Sequence, residues 1–209
     1  MIHLFYSPGA CSMASHITLQ EIGVPFERTA VDFNQNAQKS PEYLAINPRG
    51  KVPALLIDHQ VVTENTAILT YLAKRFPEAR LLPEDSLREA QCISQMAWFS
   101  NTPHISQRGV MRPYAFASDE RHHDDVKRTM RENFWKNLSE IDELIGEKTW
   151  FMGDTYSVVD PYALVFYRWG LRAKLPVHEL RSFTELKNRM LQRQAVKAVL
   201  EREKDTLLL

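Results

Sequence analysis

The residues of this chain best suited to do chemistry lie in three short segments of its first third. The first, Ser7-Pro8-Gly9-Ala10-Cys11-Ser12, joins an apolar, β-prone run to a helical one, which sets Cys11 at a helix amino terminus. Unpaired backbone N–H groups and the positive end of the helix dipole favour thiolate over thiol there, so the sequence predicts a lowered Cys11 pKa. The bland alternative is a small thiol buried in the core, for which a Pro-Gly turn is a poor place.

The second segment is Val52-Pro53, between a turn and a strand. Proline lacks the donor that a central strand needs, and a cis peptide in a tight turn resolves the anomaly. Such a turn leaves the N–H and C=O of Val52 free for an extended ligand that adds on like a strand. The third is Thr63-Glu64-Asn65-Thr66, at the start of a helix. Helix-start N–H groups bind carboxylates, and Glu64 beside them can take an ammonium, which together suit the zwitterionic head of an amino acid. Plain helix capping by Glu64 and Asn65 is the alternative.

The elements that must position these segments follow from periodicity. Strands are expected at 2–6, 26–32, 54–57 and 61–62. Helices are expected at 12–22, closed by Gly23, at 40–46 behind a Ser40-Pro41 start, and at 65–76. Asn47-Pro48-Arg49-Gly50-Lys51 is turn chemistry. The order β-α-β-α-β-β-α is an α/β module over residues 1–78. Residues 79–86 read as a linker, and residues 87–209 as an all-helical domain. Within that domain, helical patterns cover 87–99, 124–145, 157–171 and 182–204, with Pro103 and Pro113 as breaks.

Bulk properties exclude several classes. Lysine plus arginine (26) balance aspartate plus glutamate (26) in 209 residues, against phosphate-driven nucleic-acid binding. No apolar run approaches the roughly 20 residues that span a bilayer, and the amino terminus reads as a strand and not a signal peptide. The two cysteines, Cys11 and Cys92, do not form a disulfide framework, so a cytoplasmic protein is expected. No metal site is expected. His122-His123-Asp124-Asp125 reads as a polar helix start.

The three segments, with the string Tyr43-Leu44-Ala45-Ile46-Asn47-Pro48-Arg49-Gly50-Lys51-Val52-Pro53-Ala54-Leu55, resemble the bacterial cytosolic glutathione transferases. The pattern is most like the beta class, with cysteine in the first loop. The resemblance implies a thioredoxin-like amino-terminal domain followed by an all-helical one. It also implies glutathione as co-substrate, with Val52 after the cis-Pro53 turn pairing with its cysteinyl part. Glu64 and Asn65 would hold the γ-glutamyl head, and Lys51 or Lys39 the glycine carboxylate. Asn65 departs from the commoner glycine or serine, but its amide can still donate. Gly153-Asp154-Thr155-Tyr156-Ser157-Val158-Val159-Asp160 is similar to the family's folding motif, with Ser157 and Asp160 as a capping box. Asn101-Thr102-Pro103-His104 resembles the segment where the family places a histidine facing glutathione. A homodimer is implied in the same way.

Two mechanisms stay open on these residues. In conjugation, Cys11, Ser12 or His104, or less well Tyr6, donates a hydrogen bond to the glutathione thiolate as it attacks a small hydrophobic electrophile. In thiol-disulfide exchange Cys11 itself attacks, by a monothiol route because Ala14 stands three residues on. A non-catalytic, protein-binding module is a third reading, against which the intact site speaks. The electrophile pocket is expected between residues 100 and 116 and along the carboxy-terminal helix. Tyr114, Phe116, Tyr167 and Trp169 are its candidate aromatics.

Overall fold

The computed structural model describes residues 1–208. Four strands form one sheet in the order β2-β1-β3-β4: β1 (Ile2–Tyr6), β2 (Glu27–Ala30), β3 (Ala54–Ile57) and β4 (Gln60–Thr63). β1 runs parallel to β2 and antiparallel to β3, and β3 and β4 form a hairpin. Alternation along the strands divides the two faces. Leu4, Tyr6, Leu55 and Ile57 pack with Leu19, Ile68 and Leu72 of α1 (Met13–Ile22) and α3 (Asn65–Arg75). Phe5 and Ala54 face the other way, against Tyr43 of α2 (Pro41–Ile46). Ser40 caps α2 by accepting the Tyr43 N–H, as its place before proline predicts.

The rest of the described chain is helical: α4 (Ser86–Asn101), α5 (Pro103–Met111), α6 (His123–Ile145), α7 (Val159–Arg172), α8 (Arg181–Met190) and α9 (Gln194–Glu203), with short 3-10 turns between them. The fold is that of a thioredoxin-like sheet module followed by helices. Pro103 starts α5 and so divides it from α4, as expected of a residue without an N–H. The single helix expected over 182–204 is instead two. The chain turns at Leu191–Arg193, where the Arg193 guanidinium pairs with Glu21 and lies 3.8 Å from the Tyr156 ring centroid. The segment 79–86 is tied down: Leu81 is buried and its carbonyl accepts the Val158 N–H. Among the described residues no helix is long and apolar enough to cross a membrane. His123 opens α6, its Nε2 bonding to the Ala117 carbonyl at 2.9 Å, and no described cluster is suited to a metal ion.

The capping box is half as expected. Asp160 Oδ2 accepts the Ser157 N–H at 2.7 Å, but Ser157 Oγ accepts from Val159 and not from Asp160. Asp160 also takes the Phe151 N–H, so this buried carboxyl anchors the loop ahead of α7. Pro161 sits in the first turn of α7, which continues through it.

Helices α7 and α9 converge on one glycine. Gly9 has φ +66°, and a Cβ there would collide with the Arg168 guanidinium. Its N–H donates to Glu203 Oε2 at 2.8 Å, and its carbonyl accepts from Arg168 Nη1 and Trp169 Nε1 at 3.0 Å each. Glu203 Oε1 accepts from His16 Nδ1 of α1 at 2.8 Å, both side chains being fully buried. Asp205 in turn pairs with Arg168. Removing one member of such a buried pair strands the others. Glu203→Ala should therefore lower unfolding free energy by about 3 kcal/mol or more. Urea unfolding of the two proteins measures it, and a loss under about 1 kcal/mol would show that the clamp is not structural.

Candidate active site

A cavity of about 610 Å³ lies between the sheet module and the helical half, within the size range of small-molecule sites. One wall holds Cys11, Lys39, Lys51, Val52, Pro53, Glu64 and Asn65; the other holds Ser100, His104, Arg108, Arg112 and Trp169. The Val52-Pro53 peptide is cis. The turn before it is held from two sides, since the Lys51 carbonyl accepts from Tyr43 Oη at 2.6 Å and Asn47 Nδ2 at 2.7 Å. Gly50 closes that turn at φ +58°, where a Cβ would strike the Gln38 carbonyl. Among the described residues the Val52 N–H makes no hydrogen bond, so it faces the cavity as an open donor.

Cys11 lines the cavity yet is only 9% exposed, and its Sγ–H donates to the Val52 carbonyl at 3.4 Å. The lowered pKa expected from its place before α1 is not what the structure gives. Burial pushes the thiol up to about 12, outweighing the N–H groups of Cys11 and Ser12 and the charge of Lys51 that pull it down. Ser12 is corrected too. Its hydroxyl donates to the Ser7 carbonyl and accepts the Ser7 N–H, and it does not line the cavity. It braces the loop and offers nothing to a ligand. Tyr6 likewise lies in the core, against His16.

Glu64 sits at φ +71°, a conformation that costs a non-glycine residue on the order of 1–3 kcal/mol. Its exposed carboxylate has no partner among the described residues. No side chain caps the start of α3, so its first N–H groups remain available beside that carboxylate. The Asn65 amide, expected to donate to a ligand, is already committed: Nδ2 donates to the Cys11 carbonyl at 2.8 Å and Oδ1 accepts from Ser15. Asn65 contributes its backbone N–H and the placement of Cys11.

On the opposite wall, the His104 ring packs on Trp169 with centroids 4.8 Å apart. Burial first, then the positive charges of Lys51, Arg108 and Arg112, lower its pKa to about 4. The imidazole is neutral at physiological pH and has a lone pair to accept a proton. Lys39 and Lys51 both reach the cavity. Among the proposed aromatics only Trp169 lines it: Tyr114 and Phe116 are exposed and Tyr167 is packed on Phe183. The expected contribution of the carboxy-terminal helix is also corrected, because α9 packs on α1 and reaches the site only through Glu203 and Gly9.

Residues 1–74 match the glutathione S-transferase N-terminal domain family. Across almost the full length, the chain is 33% identical to Glutathione S-transferase GstA of Escherichia coli O157:H7, covering 96% of this chain and 98% of that one. The chain belongs to the glutathione S-transferase family. The structure agrees. A glutathione transferase homolog from Sulfitobacter, solved with bound glutathione, superposes with a TM-score of 0.92 at 30% identity, covering 97% and 98% of the two chains. A bacterial beta class glutathione S-transferase from Sphingomonas chungbukensis superposes at 0.85 with 31% identity, covering 96% and 98%.

For a glutathione S-transferase, the residues that sequence reasoning missed are mostly basic. Arg108, Arg112 and Arg172 line the cavity. The four-residue spacing of His104 and Arg108 puts these two on one face of α5 and was readable in advance, while Arg112 follows the helix end. The clamp on Gly9 had no local signal. The burial of Cys11 makes a direct prediction. Iodoacetamide should label Cys11 at least about tenfold more slowly than free cysteine near neutral pH, with the rate still rising beyond about pH 9. Peptide mass mapping separates it from Cys92; a rate that levels off below about pH 7 would contradict the buried, protonated thiol.

Proposed function

We propose that this glutathione transferase conjugates the glutathione thiolate to small hydrophobic electrophiles, with Cys11 as a protonated hydrogen-bond donor and not as the nucleophile. The observation that carries this reading is the burial of a thiol that nonetheless lines the cavity, since that burial raises its pKa. A thiol held protonated is a poor attacking group but a competent donor toward an anion. In this reading the γ-glutamyl ammonium goes to Glu64 and its carboxylate to the N–H groups that open α3. The cysteinyl backbone pairs with Val52 beside Pro53, and the glycine carboxylate goes to Lys51 or Lys39.

The chemistry then needs three things of the chain. The cations around His104 lower the thiol pKa of the bound peptide by favouring its anion. With its pKa lowered to about 4, His104 is too weak a base to keep the departing proton, which leaves to solvent, and the neutral ring serves as a hydrogen-bonding neighbour of the sulfur. To donate to the sulfur that forms, the single Cys11 S–H leaves the Val52 carbonyl, to which it bonds at 3.4 Å, and turns to the anion. The thiolate attacks the electrophilic carbon, the new C–S bond forms and the leaving group departs with its electron pair. The working protein is taken to be a cytoplasmic homodimer, as the resemblance implies.

Glutathione–agarose should retain the protein, and Glu64→Gln should raise KM for glutathione about tenfold or more with a smaller effect on kcat, as expected for losing a charge-assisted bond. Incubation with oxidised glutathione followed by intact mass should give no stable adduct on the wild type, which should conjugate a chlorinated nitrobenzene. An adduct that vanishes in Cys11→Ala, without conjugation, would replace this reading with monothiol exchange. Failure to bind glutathione at all would leave a protein-binding module.

A further inference from the structure

We propose that the helical wall of the cavity selects electrophiles bearing a carboxylate on an apolar body, which Arg108, Arg112 and Arg172 recognise. This rests on the conjugation reading above and adds a substrate class to it. The starting observation is an imbalance. The chain carries 26 basic and 26 acidic residues. Yet the cavity is lined by six basic side chains, Lys39, Arg49, Lys51, Arg108, Arg112 and Arg172, against the single carboxylate of Glu64. Glutathione offers two carboxylates and one ammonium. The start of α3, Glu64 and the two lysines answer all three from the sheet wall. Three guanidiniums on the facing wall are left over.

Their surroundings leave them unneutralised. Residues 90–118 and 161–178, which supply that wall, contain no aspartate or glutamate. Arg108, Arg112 and Arg172 make no ion pair or side-chain hydrogen bond among the described residues. By contrast Arg168, one turn before Arg172 on α7, and Arg193, in the turn before α9, are each bound to a carboxylate. Arg108 lies in the last turn of α5, Arg112 directly follows the helix end, and Arg172 is the last residue of α7, three beyond Trp169. Like charges gathered on one cavity repel, and a ligand anion relieves that repulsion; the guanidinium fork suits a carboxylate. The pKa of His104, lowered first by burial, is lowered further by the charges of Lys51, Arg108 and Arg112.

Between the cations the wall is apolar. Ile105 and Met111 line the cavity and are 39% and 38% exposed, which is high for such side chains. Phe33 faces them from the sheet side, with the Arg112 guanidinium 5.7 Å from its ring centroid. An aromatic or unsaturated body fits this strip, with its carboxylate toward the arginines. Attack by the glutathione thiolate on an aryl chloride of this kind forms C–S, breaks C–Cl and releases chloride, with no oxidant or reductant required.

The test uses a matched pair of probes, a chlorodinitrobenzoate and its methyl ester, each rate divided by its uncatalysed rate with glutathione. Wild type should prefer the carboxylate at least about tenfold, a preference that falls as salt rises. The Arg108→Gln/Arg172→Gln double variant should lose most of that selectivity. Quenching of tryptophan fluorescence, with Trp169 in the cavity, reads binding of the two glutathione conjugates without any turnover. The carboxylate conjugate should bind wild type at least about tenfold more tightly than the variant, with a smaller change for the ester conjugate. If neither probe is turned over but this binding difference holds, the conjugation reading fails and the selectivity stands. Equal affinity for both conjugates in wild type overturns the selectivity, whatever the turnover. So does a variant that loses both probes equally through a raised KM for glutathione, since the arginines would then be serving the glycine carboxylate.

Discussion

The active-site loop has its shape because Gly9 is held from three sides by residues 159 to 194 positions away in the sequence. Glu203 takes its N–H, while Arg168 and Trp169 take its carbonyl. Burying the polar side chains of His16 and Glu203 carries a desolvation cost, offset by the hydrogen bond between them and by the Gly9 bond. From inside the loop, Ser12 closes it on Ser7, and Asn65 draws the Cys11 carbonyl toward α3. Cys11 has little freedom left, and its thiol is fixed at the cavity floor.

That placement sets two electrostatic effects against each other. For Cys11 desolvation wins, because the thiol is walled in by protein and its anion would lose more with its water than Lys51 and the loop N–H groups return. For a ligand thiol in the open cavity the balance reverses. A single positive charge at about 7 Å, in an effective dielectric near 20, favours a thiolate by about 2 kcal/mol, or about 1.5 pKa units. The cavity carries several such charges. The proposed conjugation thus asks one site to keep its own sulfur protonated while favouring ionisation of its guest's.

Local patterns in the sequence carried the sheet module well. The apolar runs Ile2–Tyr6 and Ala54–Ile57, the Ser40-Pro41 start of α2 and the Asn47-to-Gly50 turn all act through neighbours a few residues away. Val52-Pro53 and Glu64 were legible for the same reason. Most of the misreadings trace to contacts from far along the chain, while Ser12 is taken up by Ser7, five residues before it. Cys11 looked accessible because Trp169 and Glu203, which fix its loop, are not local to it. Ser12 and Asn65 looked free because their partners are set by the folded loop. Nothing near Leu191–Arg193 is a helix breaker, and the turn there depends on Glu21 and Tyr156. The arginines of the helical wall lay in plain view as an acid-free stretch.

The central claim is that the cavity stabilises the glutathione anion while Cys11 stays protonated and donates to it. Ultraviolet thiolate absorbance, titrated against pH for glutathione bound to wild type and to Cys11→Ala, measures this directly. The bound thiol should ionise at least about one pKa unit below the free peptide's, whose thiol lies near about 8.5, and part of that shift should be lost in Cys11→Ala. A bound pKa equal to the free value in wild type, or a shift indifferent to Cys11, would contradict it.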